Sequence, residues 1–399
     1  MSLIATIKDL ASRHLLDVVA IRRHLHRNPE LSFQEHETMA YIAAQLDLLG
    51  IPYTSGIAGT GIVALIAGLD PESKVTALRA DMDALPIKEV SGRDYGSLHE
   101  GVMHACGHDA HTASLLGAAY ILMQTRALWK GTVKLIFQPG EEKLPGGASL
   151  MIKEGALQNP SPASIFGQHV TNLFAAGKVG FRSGLYMAST DELYLTISGK
   201  GGHAAIPANY INPLLIASKV LLVLNEKFMD PKTKLHTAHP TVLAFGKISG
   251  MGATNVIPDQ VFMEGTFRTM NEEWRAEAHL LITQIAQEEA EKMGGKAEVI
   301  ISKGYPFLIN DEPLTKRAKQ HAIDYLGAEH VIDLDLWMAA EDFAYYSQVM
   351  PACFYRFGIR NESKGITSSV HTSSFDIDEE ALRTSTGMMA WLAIAELQS

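Results

Sequence analysis

The sequence predicts an α/β protein of two domains, the larger built on a mostly parallel sheet flanked by helices. Three observations carry that reading. Short, continuous apolar runs alternate with helical stretches over the first 170 residues, as for strands buried on both faces. From about residue 190 the strands become polar-alternating and fall in the order β-α-β-β-α-β, that of a ferredoxin-like split unit. After it a helix and an apolar strand of the first kind resume, so the second unit interrupts the first.

In chain order, residues 3–26 and 35–49 read as helices, with Gly50 and Pro52 stopping the second. GIVALIAG (61–68) and KVTALRAD (74–81) are apolar, β-branched strands. Residues 108–124 are apolar nearly all round, as in a buried helix. TVKLIFQP (132–139) and ASIFGQHV (163–170) are further strands. The split unit takes strands 191–198, 241–249, 260–269 and 296–304, with helices 209–228 and 271–293. A helix over 312–326 and the strand FYRFG (354–358) close the series. The expected domains are 1–185 with 305–399, and an inserted 186–304.

Composition limits the function. The chain has 399 residues, 47% hydrophobic and 20% charged, enough apolar material for two cores. That excludes a disordered chain, a collagen and a coiled coil. Lys plus Arg is 34 against 44 Asp plus Glu, so the net charge is −10, which argues against binding nucleic acid through phosphates. Two cysteines make no disulfide framework and fit a reducing compartment. The first residues read as an amphipathic helix and not a signal peptide, and no apolar run approaches the ~20 residues that span a bilayer. The expectation is a cytoplasmic protein with no membrane partner.

The chemistry-bearing residues start with HACGHDAH (104–111). Cys106 and His108 would diverge on a regular helix, but in a glycine-containing loop they can meet one metal. Adjacent carboxylates, Glu141 and Glu142, follow a strand at the edge where open α/β sheets place their sites. One can bind metal while the other acts as a base. His169 closes another apolar strand. Each signal alone has a bland explanation: a helix-start histidine, an acidic turn, a core histidine. Together they gain weight, because a parallel sheet brings the ends at Asp81/Asp83, Glu141/Glu142 and His169 to one edge. His371, in SSVHTSSFD, is a further candidate ligand on a weak local signal. His24, His26 and His36 read as surface or packing residues, Cys353 as a buried small hydrophobe, and His104, His111, Glu341 and Asp342 are left without a role.

Eight blocks carry a resemblance: RRHLHRNPELSFQE (22–35), LRADMDALPI (78–87), HACGHDAH (104–111), FQPGEE (137–142), GGHAAIP (201–207), NVIPD (255–259), GTFRT (265–269) and AAEDFAYY (339–346). In this order they resemble the metal-dependent amidohydrolases: hippurate hydrolases, plant indole-acetyl-amino-acid hydrolases and N-acetyl-diaminopimelate deacetylases, within the aminoacylase/carboxypeptidase superfamily. The resemblance implies a two-metal catalytic domain with a ferredoxin-like lid and dimerisation domain. It implies two divalent ions, Zn²⁺ or Mn²⁺, on Cys106, His108, Glu142, His169 and His371. Glu141 matches the general base and Asp83 an aspartate orienting the ligands. His203 and Asn255 match lid residues that meet substrate, commonly in the neighbouring subunit's site, and Arg268 an anchor for the substrate's α-carboxylate. The implied reaction is hydrolysis of N-acyl-L-amino acids by a homodimer, with a tetramer as the alternative assembly. Competing readings are a dipeptidase or carboxypeptidase on the same scaffold, a metal-free cysteine hydrolase using Cys106 with His108, and a binding protein without activity.

Overall fold

The computed structural model describes residues 2–90 and 92–399. Chain contacts divide it into two compact units of mixed α/β fold. One takes the chain up to Tyr186 together with Ile309–Asp335 and Asp342–Ser399. The other takes Met187–Leu308 and returns for Leu336–Glu341. The return corrects the sequence reading, which left 336–341 in the larger domain. Six residues leaving one core for another carry no compositional mark.

The first unit is organised by an eight-stranded sheet. Its order is Tyr53–Ile57, Gly61–Ala67, Thr132–Gln138, Val75–Asp81, Ser164–Ala175, Ala352–Arg360, Val179–Phe181, Val331–Asp333. The central four strands are parallel, and both flanks include antiparallel pairs. Every residue of Val75–Asp81 and Thr132–Gln138 is buried, which explains why these strands read as unbroken apolar runs. Lys134 is buried among them because its ammonium donates to the carbonyls of Ala156 and Gln158, at 2.9 and 2.6 Å.

Parallel register aligns the strand ends. Asp81 stands opposite Gln138, Arg79 opposite Gly167, and Arg356 opposite His169. The helix His108–Thr125, buried at nearly every position, packs against the sheet. The single helix expected over 3–26 is two, Leu3–Arg13 and Leu15–Arg27, with His14 between them. No proline or glycine marks that break.

The second unit is an antiparallel four-stranded sheet in the order Thr241–Ser249, Gln260–Thr269, Asp191–Ser198, Lys296–Lys303. The helices Pro213–Phe228 and Glu272–Lys292 bury Ile216, Val220, Leu224 and Ile282 against Leu193, Leu195, Val261 and Phe267. The first begins at Pro213, four residues later than expected at 209. Asn212 accepts from the Leu214 amide and proline fills the first helical position. Among the described residues no helix is long and apolar enough to cross a membrane.

Candidate active site

The parallel strands deliver their carboxyl ends to one cluster in the first unit. Cys106 lies in the turn before the helix His108–Thr125. Gly107, between Cys106 and His108, has φ +86°, and a Cβ there would approach Val170 Cγ2 to 2.7 Å. Only glycine meets both demands without strain. The turn resolves the helical objection to this pair, because Cys106 stands outside the helix.

Cys106 Sγ lies 3.4 Å from His169 Nε2 and 3.2 Å from His371 Nε2. Glu142 Oε1 is 3.2 Å from His371 Nε2 and 4.0 Å from His108 Nε2. The donor atoms of Cys106, His108 and His169 form one group within metal-binding reach, and those of Cys106, Glu142 and His371 a second. Cys106 is common to both. His371 reaches the cluster from a loop with φ +61°, fixed by its amide donating to the Ala105 carbonyl at 2.7 Å.

The hydrogen bonds behind these atoms decide which of them face the cluster. His108 Nδ1 donates to Asp83 Oδ1 at 3.1 Å, while its buried Nε2 makes no hydrogen bond. His169 Nδ1 donates to the Val170 carbonyl at 2.8 Å, which leaves Nε2 toward Cys106. Glu142 Oε1 is buried and likewise makes no hydrogen bond. Asp83 also accepts from Ser32 Oγ at 2.6 Å and from the Glu142 amide at 3.0 Å. Backing a histidine with a carboxylate is the usual way a protein orients a metal-ligating imidazole.

Electrostatics agree with a cation at this point. Burial pushes the Cys106 thiol well up, and Glu142, Glu141 and Asp81 push it further. Burial lowers the His108 imidazole, yet Asp81, Asp83 and Glu142 overcome it and raise His108 to about 10. The His108 shift, and the carboxylates' share of the Cys106 shift, reflect surplus negative potential, which a divalent ion would neutralise while deprotonating the thiol. Thiol, imidazole and carboxylate are ligands for borderline divalent metals, so the residues present fit such ions. A thiol raised in this way is a poor nucleophile, which counts against the cysteine-hydrolase reading.

Asp81, His108 and His111 also lie within reach of one another, but His111 is occupied. Its Nδ1 donates to Asp81 Oδ1 at 2.6 Å and its Nε2 accepts the Val170 amide at 2.9 Å. Asp81 Oδ2 in turn accepts from Arg79 at 2.6 Å. Arg79 also donates to Asp342 at 2.7 Å, and Asp342 accepts from Gln138 and the Ala148 amide. So His111 and Asp342, left without a role by the sequence, tie strand ends beneath the cluster. Burial pushes His104 down to about 4. Glu341 falls in the second unit and Asp342 in the first. His26 is buried and bonded to Asp109 at 2.8 Å, whereas His24 and His36 are exposed. Cys353 is fully buried.

His203, Asn255 and Arg268 belong to the second unit. His203 pairs with Val256 in a two-stranded ladder, and the Asn255 carbonyl accepts the Ala204 amide at 3.0 Å, so the first two are neighbours. His203 Nδ1 accepts from the Ala205 amide at 3.1 Å, which places its proton on Nε2. Arg268 stands apart from them on the four-stranded sheet, half-buried, donating to the Met338 carbonyl at 3.0 Å.

The sequence profile of peptidase family M20/M25/M40 matches residues 77–395. The chain belongs to that family. It is a metallo-hydrolase by membership. It is 38% identical over 380 residues to the IAA-amino acid hydrolase ILR1-like 5 of Arabidopsis thaliana, covering 94% of this chain and 86% of that one. It is 40% identical over 365 residues to an N-acetyl-L-cysteine deacetylase of Bacillus subtilis strain 168, covering 92% and 84%. Among solved structures it is similar to the YXEP protein of Bacillus subtilis, described as a dinuclear metal binding peptidase from the M20 family. The TM-score there is 0.82 with 34% identity, over 97% of this chain and 99% of that one.

Proposed function

We propose that this M20-family hydrolase cleaves the amide bond of N-acyl-L-amino acids, releasing a carboxylate and a free amino acid. The observation that carries the reading is the pair of donor groups sharing Cys106, with the adjacent Glu141 only 7% exposed. Relatives named for IAA-amino acids and N-acetyl-L-cysteine support the substrate class.

In this reading Cys106, His108, Glu142, His169 and His371 would hold two divalent ions, Zn²⁺ or Mn²⁺. Such ions supply a nucleophile at neutral pH and polarise the scissile carbonyl. Glu141 takes the proton from the attacking water and passes it to the leaving amine. Asp83 keeps His108 in the tautomer whose Nε2 faces the cluster. His203 donates its Nε2 proton to the developing oxyanion, a contact typically worth about 10²–10³ in kcat. Arg268 receives the α-carboxylate, for which a planar guanidinium is suited, and Asn255 contacts the substrate beside His203.

The second unit, Met187–Leu308 with Leu336–Glu341, serves in this reading as lid and dimerisation domain. Leu215 and Leu222, 60% and 66% exposed one heptad apart on one helix, and Leu280, 73% exposed on the other, support an apolar contact between copies. A cytoplasmic homodimer is the proposed form. The reading of the family scaffold as a dipeptidase or carboxypeptidase is favoured by the YXEP neighbour, which is described as a peptidase.

The Glu141→Gln variant tests the mechanism. It keeps the shape of the side chain and removes the base. Amine release from an N-acetyl amino acid should fall below a few per cent of the parent rate, with full metal content by elemental analysis. A variant that keeps most of its kcat would remove Glu141 from the mechanism.

A further inference from the structure

Glu141 is flanked by two peptide amides, and each donates to a different buried carboxylate. The Glu142 amide donates to Asp83 Oδ2 at 3.0 Å. The Gly140 amide donates to Glu35 Oε1 at 2.8 Å. Glu35 lies more than 100 residues away in sequence and is fully buried. Its Oε1 also accepts the Phe33 amide at 2.9 Å, and its Oε2 accepts the Thr60 hydroxyl at 2.6 Å. So three donors converge on one carboxylate.

The segment around Glu35 is shaped for this contact. Phe33 has φ +65°, uncommon for a bulky residue. Its ring lies where a Cβ on Gly140 would fall, and Gly140 itself has φ +60°. Ser32, one residue earlier, donates to Asp83 at 2.6 Å. The stretch 32–35 therefore supplies one carboxylate anchor of the Glu141 turn, Glu35, and contacts the other, Asp83, through Ser32.

We infer that Glu35 is a positioning residue for catalysis: it fixes the Pro139–Gly140 peptide, one link before Glu141, and so aims the base, while Asp83 fixes the Glu141–Glu142 peptide and serves the proposed metal ligands. A carboxylate accepting several N–H and O–H donors behaves as a rigid post. The two posts divide the work. Loss of Asp83 frees His108 and Glu142, so it acts on metal binding. Loss of Glu35 frees the Gly140 side of the turn, with the Phe33 amide and the Thr60 hydroxyl, but no residue of the proposed ligand set, so it acts on turnover while those residues stay in place. The inference rests on Glu141 being the base.

The test compares Glu35→Met, Glu35→Gln and Thr60→Val with Glu141→Gln in the metal-loaded protein. Methionine fills the space without accepting the three donors. Glutamine keeps an oxygen for the two amides and an NH₂ that the Thr60 oxygen accepts. The readouts are kcat, KM for an N-acetyl amino acid, and metal per chain. Glu35→Met should lose about 10- to 100-fold in kcat, with KM and metal content near the parent values, and Glu35→Gln should return to within about threefold. If Glu35→Met does not fold, Thr60→Val decides: a several-fold loss of kcat at full metal content supports the role, and parental kcat overturns it. Parental kcat in Glu35→Met also overturns it, as does an equal loss in Glu35→Met and Glu35→Gln accompanied by loss of metal. An active Glu141→Gln would instead overturn the base itself, which separates the two failures.

Discussion

Asp83 accepts three hydrogen bonds at once, from Ser32, His108 and the Glu142 amide. Removing it in Asp83→Ala leaves all three donors without their acceptor, and two of them belong to residues of the proposed ligand set. Competition with a chelator should show metal affinity reduced about 10- to 100-fold. Unchanged affinity would mean that the ligands hold their geometry without it. At this scale much of the candidate cluster's grouping was legible. Cys106, His108, Glu141, Glu142 and His169 could be grouped from sequence because each sits at or just beyond the end of a buried element, and parallel pairing aligns such ends. His371 gave only a weak signal because its place depends on an irregular loop bonded to Ala105. Glu35 was invisible as a site residue. Its partners, Thr60 and Gly140, are brought to it only by the folded chain.

Elements show the same division between local and distant causes. The buried strands of the first unit declared themselves by continuous apolar runs, but Tyr53–Ile57, Val179–Phe181 and Val331–Asp333 did not. These lie toward the sheet's flanks, are short, and two of them carry polar or half-buried residues that break the pattern. They also make the flanks partly antiparallel, which burial patterning in the central strands could not reveal. In the second unit the start of the strand Asp191–Ser198 is locked to the helix Glu272–Lys292. Buried Asp191 accepts from Arg275 at 2.9 Å through Nε, from His279 at 2.7 Å and from the Gly304 amide at 3.1 Å. Burial raises the Asp191 carboxyl, but the bonds from His279 and Arg275 outweigh it and hold the group below the usual carboxylate range. A depressed folded value means that this stability is present above the unfolded pKa of about 3.9 and is lost as pH falls through the folded value. Asp191→Asn should therefore cost about 3 kcal/mol or more at pH 7, because Arg275 stays buried and charged. In urea titrations the gap to the parent should narrow as pH falls below about 4. A gap independent of pH would assign the effect to packing.

At the scale of the whole molecule, one family fold is distributed over two cores. The proposed ligands and Glu141 belong to the first unit, and His203, Asn255 and Arg268 to the second. The order of elements made both units readable, since a β-α-β-β-α-β run and an apolar α/β run have different periods. What escaped was the return of 336–341 to the second unit, because membership of a core is decided by contacts far away in sequence. The acidic balance of the chain is consistent with a small anionic substrate only if charge is locally offset. Arg268 and bound cations would provide that offset in the proposed reaction.

In the proposed reaction, amide hydrolysis depends on divalent metal held by the Cys106 cluster. The direct measurement is amine release from acetyl-, benzoyl- and indole-acetyl-amino acids by chelator-stripped protein, before and after adding Zn²⁺ or Mn²⁺. The stripped protein should release no amine and should recover on adding metal, with one acyl group preferred. Release that continues undiminished after the metal has been removed would contradict it.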